Sequence, residues 1–177
     1  MIELVQKIRD TSNGKMISVA ESCTGGMLAS YLTSLPGSSA YFSAGIVSYS
    51  NEAKIKLLSV SLESLAKYGA VSEVVAKEMA LGCKKITSSN IVVSVTGVAG
   101  PDGGSLNKPV GMVCFGVVTD SDVKTYTYHL KGDREDVRKE ACIIALVIIL
   151  DLGGCKSLTQ VIDGIIYRNI IRLSSTK

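Results

Sequence analysis

Residues 20–26 read Ala-Glu-Ser-Cys-Thr-Gly-Gly and place a carboxylate, two hydroxyls and a thiol beside two glycines. The segment follows an apolar, partly β-branched run at 15–20 and precedes apolar residues at helical spacing that end before Pro36. This pattern predicts a strand-to-helix turn, where the first N–H groups of the helix can hold a phosphate or a developing oxyanion. The simpler alternative is that Ser22 or Thr24 only caps the helix.

Two more polar segments follow predicted strands. Residues 49–54 come at the end of the extended segment 43–49, and the glycine-rich residues 96–104 follow the β-branched run 91–95. If the strands are parallel, all three segments meet at the sheet edge where α/β proteins bind ligands. The polar side chains at this edge would be Ser22, Cys23, Thr24, Tyr49, Ser50, Asn51, Lys54 and Thr96.

This set contains a hydroxyl nucleophile and a lysine, while the chain has a single histidine, His129. These side chains are those of a serine-lysine amidase. A single histidine argues against a histidine-based triad and against a multi-histidine metal site. A lysine with a pKa of about 10.4 is a poor base at neutral pH unless it is desolvated or lies beside other cations. Lys54, between two apolar residues, could be buried in this way. The structural alternative is a solvated lysine on a short surface helix.

The alternation of helical and extended segments indicates an α/β fold. Helices are predicted to begin at the capping residues Asn51, Ser61, Ser72 and Asp133. Strands at 110–118 and 123–129 are joined by a short polar turn that suits a hairpin, so the sheet is predicted to be mixed. Apolar residues at helical spacing within 161–171 predict a further helix that packs on the domain or on a partner subunit.

Composition narrows the class of protein. A chain of 177 residues, 46% hydrophobic and 20% charged, fits one soluble globular domain. The net charge of +3 comes from scattered residues, which argues against a nucleic-acid partner. The N-terminus lacks the apolar core of a signal peptide, and the apolar run 141–150 is shorter than the roughly 20 residues of a membrane span. Five cysteines without a Cys-x-x-Cys pair fit a reducing cytoplasm, so we expect a cytoplasmic protein without a membrane partner.

Seven blocks, taken in order, resemble the CinA C-terminal-domain family, whose members include the nicotinamide mononucleotide amidohydrolases. The blocks are AESCTGG at 20–26, PGSSAYF at 36–42, VSYSNEAK at 47–54, GAVS at 69–72, TGVAGPDGG at 96–104, KPVG at 108–111 and GDR at 132–134. They extend the resemblance to about Leu152. The resemblance implies a single three-layer α/β/α domain, residues 1–155, with a mixed, largely parallel sheet, and residues 156–177 would be a helical extension.

The resemblance also implies a reaction. The carboxamide of nicotinamide mononucleotide would leave as ammonia, giving nicotinic acid mononucleotide for pyridine-nucleotide recycling, with no cofactor or metal. By analogy Ser22 is the nucleophile and Lys54 its base, while Tyr49 and Thr96 orient substrate or move a proton. Ser39, in the Gly-Ser-Ser block, is a rival nucleophile. Ser22 is preferred because it lies at the strand-to-helix turn, where oxyanion donors are expected.

The same resemblance assigns substrate binding to an arginine and to two glycine-rich segments. The guanidinium fork of Arg134 suits phosphate oxygens, and backbone N–H groups would add contacts to the same ligand. The candidate binding residues are Thr24, Gly25, Gly26, Gly97, Gly100 and Arg134.

Two alternatives to the serine-lysine amidase stay open. One is an amidase with Cys23 as nucleophile, assisted by Glu21 and a lysine. The other is a non-catalytic nucleotide-binding module in a competence or stress pathway. The expected partners are a small-molecule nucleotide and further copies of the chain in a homo-oligomer. We also expect the standalone form, because 177 residues leave no room for the N-terminal nucleotide-processing domain of larger family proteins.

Overall fold

The computed structural model describes residues 1–153 as a five-stranded sheet with helices on both faces. The helices are α1 (Ile2–Thr11), α2 (Met27–Leu32), α3 (Asn51–Leu58), α4 (Leu62–Tyr68), α5 (Glu73–Thr87) and α6 (Arg134–Leu152), with a short 3-10 helix at Ser38–Ala40. The strands are β1 (Ile17–Glu21), β2 (Phe42–Val47), β3 (Ile91–Gly97), β4 (Met112–Val118) and β5 (Val123–His129). The predicted extension at 156–177 lies outside the described residues.

The sheet is mixed, as predicted, with the strand order β2-β1-β3-β4-β5. β1 pairs in parallel with β2 and β3, whereas β4 pairs antiparallel with β3 and β5. β1, β2, β3 and β5 therefore run in one direction. β4 is reversed because a short turn at 119–122 joins it directly to β5, and such a turn can connect only antiparallel strands.

The three parallel strands end side by side. Glu21, the last residue of β1, pairs with Val47 of β2 and with Val95 of β3. The polar segments that follow these strands therefore begin at one edge of the sheet, as the parallel arrangement predicts.

Each face of the sheet buries its own apolar core, so the fold has the three layers that the resemblance implies. Ile91, Val93 and Val95 of β3 belong to the core shared with α1, α2 and α6. The alternate residue Val92 belongs to the core shared with α3, α4 and α5. This period of two is that of a strand covered on both faces.

The helix starts agree with the predicted caps in three of four cases. Ser61, Ser72 and Asp133 cap α4, α5 and α6 through their side-chain oxygens. The prediction for Asn51 is wrong, because the Oγ of Ser50 accepts the N–H of Ala53 and Asn51 is already helical. Ser50 is the cap because its backbone is extended, which is the conformation that a capping residue needs.

Candidate active site

Ser22 and Lys54 meet at the carboxyl edge of the sheet. Ser22 directly follows β1, and Lys54 lies in the first turn of α3, which starts just after β2. The Nζ of Lys54 is 2.9 Å from the Oγ of Ser22. Both side chains are buried, with 8% of Ser22 and 1% of Lys54 exposed. The structure thus brings together the predicted nucleophile and its predicted base.

The remaining contacts of Lys54 are two main-chain carbonyls. Its Nζ donates to the oxygen of Ser48 at 2.8 Å and to that of Tyr49 at 3.2 Å. A neutral amine has two hydrogens and one lone pair, so it can donate to both carbonyls and accept the hydroxyl hydrogen of Ser22. An ammonium has three hydrogens and can donate to all three oxygens. A proton can therefore pass between Oγ and Nζ without leaving a buried polar group unpaired.

The surroundings of Lys54 favour its neutral form. Burial lowers the pKa of Lys54 below its ordinary value of 10.5, because the ammonium loses its hydration, and the nearby Cys23 opposes this only in part. The hydrogen bonds of Nζ go to a hydroxyl and two carbonyls and not to a carboxylate, which would stabilise the charge. Lys54 thus meets the condition that a lysine base requires.

Glu21 caps the start of α2, a role that its position in the motif does not indicate. Its carboxylate is fully buried and accepts the N–H groups of Gly26, Leu28 and Ala29 at 2.8 to 3.1 Å. Neither Ser22 nor Thr24 caps α2, so that alternative is wrong. The expectation of free N–H groups at the start of α2 is also wrong, because the Glu21 carboxylate occupies them.

In the turn between β1 and α2, the N–H groups of Cys23 and Thr24 have no acceptor in another residue of 1–153. Gly25 and Gly26 both have positive φ, at 58° and 92°, which glycine adopts at little cost. The N–H of Gly25 donates to the main-chain carbonyl oxygen of Ser22. In the part of the chain that the structure describes, the N–H of Thr24 has no protein acceptor, and its buried Oγ1 has no hydrogen-bond partner. The N–H of Thr24 is thus a candidate donor for an oxyanion formed at Ser22.

Tyr49 and Arg134 join two of the loops at this edge. The side chain of Tyr49 is exposed, and its hydroxyl accepts a hydrogen bond from Nη2 of Arg134 at 3.0 Å. Nη1 of Arg134 donates to the oxygen of Gly100 at 2.8 Å. Arg134 thus links the segment after β2 to the glycine-rich segment after β3.

The predicted residues Thr96, Gly97 and Gly100 serve mainly in packing. Thr96 is buried, and its Oγ1 donates to the oxygen of Ala70 at 3.0 Å. A Cβ on Gly97 would lie 2.8 Å from the oxygen of Met112, and one on Gly100 would lie 2.6 Å from Cγ1 of Val110. These close approaches account for both glycines without a ligand.

Ser39 lies at the other edge of the sheet. It is exposed in the 3-10 helix that precedes β2, whereas Ser22 follows β1. Because the two strands are parallel, the length of β1, about 17 Å for its five residues, separates the two edges. Within one chain the structure does not bring Ser39 to Lys54.

Cys23 faces the core beneath the turn. Its thiol is buried, and burial raises its pKa to about 12, with the charge of Glu21 adding to the effect. A thiol in this state is not an activated nucleophile.

Two other kinds of feature are absent from residues 1–153. No three His, Cys, Asp or Glu side chains lie close enough together to hold a metal ion. None of the helices combines the length and the apolar composition that a membrane span requires.

A cavity of about 620 Å³ is connected to the turn after Ser22 through Arg138, which lines it and donates hydrogen bonds to the main-chain oxygens of Cys23 and Thr24. The glycine-rich segment and the start of α6 form its walls, and its lining residues are Met27, Ala99, Pro101, Val110, Gly132, Asp133, Arg134, Glu135 and Arg138. Sequence reasoning missed Arg138. Its position four residues after Arg134, on the same face of a predicted helix, was the available signal.

A family model described as the CinA C-terminal domain matches residues 2–152. The chain belongs to the CinA C-terminal domain family. One relative of this CinA domain is the nicotinamide-nucleotide amidohydrolase PncC of Enterobacter agglomerans, which is 50% identical over 136 residues, covering 76% of this chain and 83% of the relative. A CinA-like protein of Fervidobacterium nodosum is 50% identical over 133 residues, covering 75% of this chain and 33% of that protein. The chain therefore spans about a third of the length of the CinA-like relatives.

Solved structures share the fold of this CinA domain. A CinA superfamily protein of Klebsiella pneumoniae superposes with a TM-score of 0.82 at 32% identity, covering 86% of this chain and 96% of that one. A competence/damage-inducible protein of Agrobacterium tumefaciens superposes with a TM-score of 0.81 at 40% identity, covering 85% and 93% of the two chains. The family match over residues 2–152 includes all three loops of the candidate site.

Proposed function

We propose that this CinA domain is an amidohydrolase that converts nicotinamide mononucleotide to nicotinic acid mononucleotide and ammonia. The observation that carries the proposal is the buried pair of Ser22 and Lys54, with Nζ 2.9 Å from Oγ. The relationship to the amidohydrolase PncC supports the choice of reaction and of substrate.

The proposed reaction has two halves. Lys54 accepts the hydroxyl proton as the Oγ of Ser22 attacks the carboxamide carbon, and the N–H of Thr24 stabilises the oxyanion. Lys54 then returns the proton to the amide nitrogen, the C–N bond breaks, and ammonia leaves an ester on Ser22. A water molecule then attacks the ester while Lys54 accepts its proton. The ester C–O bond breaks as Lys54 passes that proton to the Oγ of Ser22, which restores both residues, and the released carboxylic acid ionises in solution.

The cavity between the glycine-rich segment and the start of α6 supports a nucleotide substrate over free nicotinamide. Its volume of about 620 Å³ lies in the range typical of small-molecule sites. Arg134 lies in its wall and can offer its guanidinium to a phosphate. Tyr49, bonded to Arg134, would orient the substrate. Thr96 would act indirectly, because its hydrogen bond to the main-chain oxygen of Ala70 holds that loop in place.

The test is ammonia release by the purified protein incubated with nicotinamide mononucleotide. Ser22→Ala should lower turnover by about 10³-fold or more while leaving substrate affinity largely intact. Ser39→Ala is the matched control, and turnover within about twofold of the wild type is expected because Ser39 lies at the far edge of the sheet. Near-normal turnover by Ser22→Ala together with loss in Ser39→Ala would transfer the nucleophile to Ser39, supplied by a second chain.

The same experiment addresses the non-catalytic alternative. Binding of nicotinamide mononucleotide by the well-folded wild-type protein, without ammonia release, would favour a nucleotide-binding module. The predicted homo-oligomer stays a prediction, and the mass of the protein in solution measures it.

A further inference from the structure

Arg138 connects α6 to the turn that carries Ser22. Its Nε donates to the oxygen of Cys23 at 3.1 Å, and its Nη2 donates to the oxygen of Thr24 at 2.9 Å. The two acceptors are the consecutive main-chain carbonyls that follow Ser22. They are more than a hundred residues from Arg138 in the sequence. A guanidinium, with its donors in a rigid planar fork, suits two adjacent acceptors in a way that an ammonium does not.

These two bonds determine where the backbone donors of the turn point. In a trans peptide unit the C=O of one residue and the N–H of the next point in opposite directions. Since Arg138 holds the oxygen of Cys23 on its own side, the N–H of Thr24 points away from Arg138. That N–H has no protein acceptor among residues 1–153.

The other hydrogen bonds of the turn do not involve the Cys23–Thr24 peptide unit. The Glu21 carboxylate holds the N–H groups from Gly26 onward, and the oxygen of Ser22 accepts the N–H of Gly25. Two neighbouring residues with positive φ make the segment flexible in the absence of tertiary contacts. Arg138 supplies the tertiary contact for the peptide unit between Cys23 and Thr24.

We propose that Arg138 is a positioning residue, which orients the Cys23–Thr24 peptide unit so that its N–H can serve the oxyanion formed at Ser22. The inference rests on the proposed amidohydrolase function. Arg138 does not touch the reacting atoms in this role. It acts by keeping the turn in the reactive geometry, a contribution that is worth up to about 10²-fold in rate when geometry shifts by about 1 Å.

The test measures kcat and KM for nicotinamide mononucleotide in Arg138→Met, with Lys139→Met as the matched control. Lys139 is the next residue of α6, is exposed, and forms an ion pair with Glu135. Lys139 itself is not among the residues that line the cavity. We expect Arg138→Met to lower kcat by about 10²-fold with KM within about threefold of the wild type, and Lys139→Met to change neither. Arg138→Ala should recover part of its kcat when guanidinium ions are added at concentrations far below denaturing ones. A raised KM with unchanged kcat would overturn the inference and make Arg138 a substrate ligand in the cavity wall.

A second readout separates this inference from the proposed function. A small fluorophosphonate labels activated serines without needing the nucleotide, so labelling at Ser22 can be followed by mass spectrometry, with Ser22→Ala as the blank. We expect Arg138→Met to label at least tenfold more slowly than the wild type at equal folded fraction. If the wild type is labelled but releases no ammonia, the proposed substrate is wrong and the labelling rates still decide the role of Arg138. Equal labelling rates, or no labelling of the wild type, would overturn the inference.

Discussion

At the scale of single residues, the charge state of Lys54 controls the proposed reaction. Its amine faces a hydroxyl and two carbonyls in a buried site, so the proton on Nζ is held weakly. A lysine on a surface helix would be solvated and charged at neutral pH, which is the alternative that the sequence leaves open. Packing of α3 against the sheet edge decides between the two.

The pH dependence of turnover follows from the lowered pKa of Lys54. Below that pKa the side chain is an ammonium and cannot accept the Ser22 proton, so kcat/KM should fall tenfold for each pH unit. Above it the rate should level off, and the plateau should begin below the ordinary lysine pKa of 10.5. Ammonia release measured across this range checks the prediction. A rate that still climbs through pH 10.5 would show that Lys54 is not the base or is not desolvated.

The same pKa predicts how stability changes with pH. Between the lowered pKa of folded Lys54 and its ordinary value of 10.5, the unfolded chain binds more protons at this site than the folded chain does. The contribution of Lys54 to the free energy of unfolding should therefore rise with pH in that window. Urea unfolding of the wild type and of Lys54→Met at several pH values isolates this contribution. The wild type should gain stability relative to Lys54→Met as pH increases, and a constant difference would contradict the prediction.

At the scale of elements, the β1–α2 turn shows how a buried carboxylate organises a nucleophile. Glu21 is the last residue of β1, and its carboxylate accepts three N–H groups at the start of α2. These bonds connect the strand before Ser22 to the helix after it. Two glycines with positive φ allow the chain to reverse between them. α2 ends at Leu32, although apolar residues at helical spacing continue to just before Pro36. The hydroxyls of Thr33 and Ser34, which follow the helix, bond back to main-chain carbonyls.

Removing the Glu21 carboxylate should therefore cost stability as well as activity. Glu21→Ala leaves buried N–H groups without an acceptor, and we expect the free energy of unfolding to fall by about 3 kcal/mol. Glu52→Ala is the matched control, because Glu52 forms an exposed ion pair with Lys56 and should change stability by less than about 0.5 kcal/mol. Urea denaturation at neutral pH compares the two, and equal losses would show that the cap contributes little.

At the scale of the whole molecule, α5 packs closely against α3, the helix that carries Lys54. Gly82, in the middle of α5, lies so close to the C-terminal end of α3 that a Cβ there would be 1.9 Å from the oxygen of Leu58. Lys54 belongs to the same eight-residue helix as Leu58. We therefore expect a displacement of α3 at Leu58 to move the candidate base.

Gly82→Ala should accordingly destabilise the protein and slow the reaction. Alanine is preferred over glycine in a helix by about 1 kcal/mol, but the clash with α3 should reverse the sign and lower the free energy of unfolding by about 1–3 kcal/mol. Because α3 must move, ammonia release per folded molecule should fall by about tenfold. Leu81→Ala, at a half-exposed neighbouring position, should stay within about 0.5 kcal/mol of the wild type. A stabilised and fully active Gly82→Ala would refute the proposed transmission.

The sequence by itself determined the α/β class, three of the helix caps and the three polar segments that end the parallel strands. These features depend on local periodicity and on residue types at neighbouring positions, which a single chain displays directly. Only the tertiary structure decided which polar groups meet. The parallel register of β1 and β2 places Lys54 against Ser22 and leaves Ser39 at the opposite edge, while close packing assigns Glu21 to the helix cap and Arg138 to the turn. The reason is physical: burial, hydrogen-bond partners and pKa arise from groups that are distant in sequence, and no local pattern contains them.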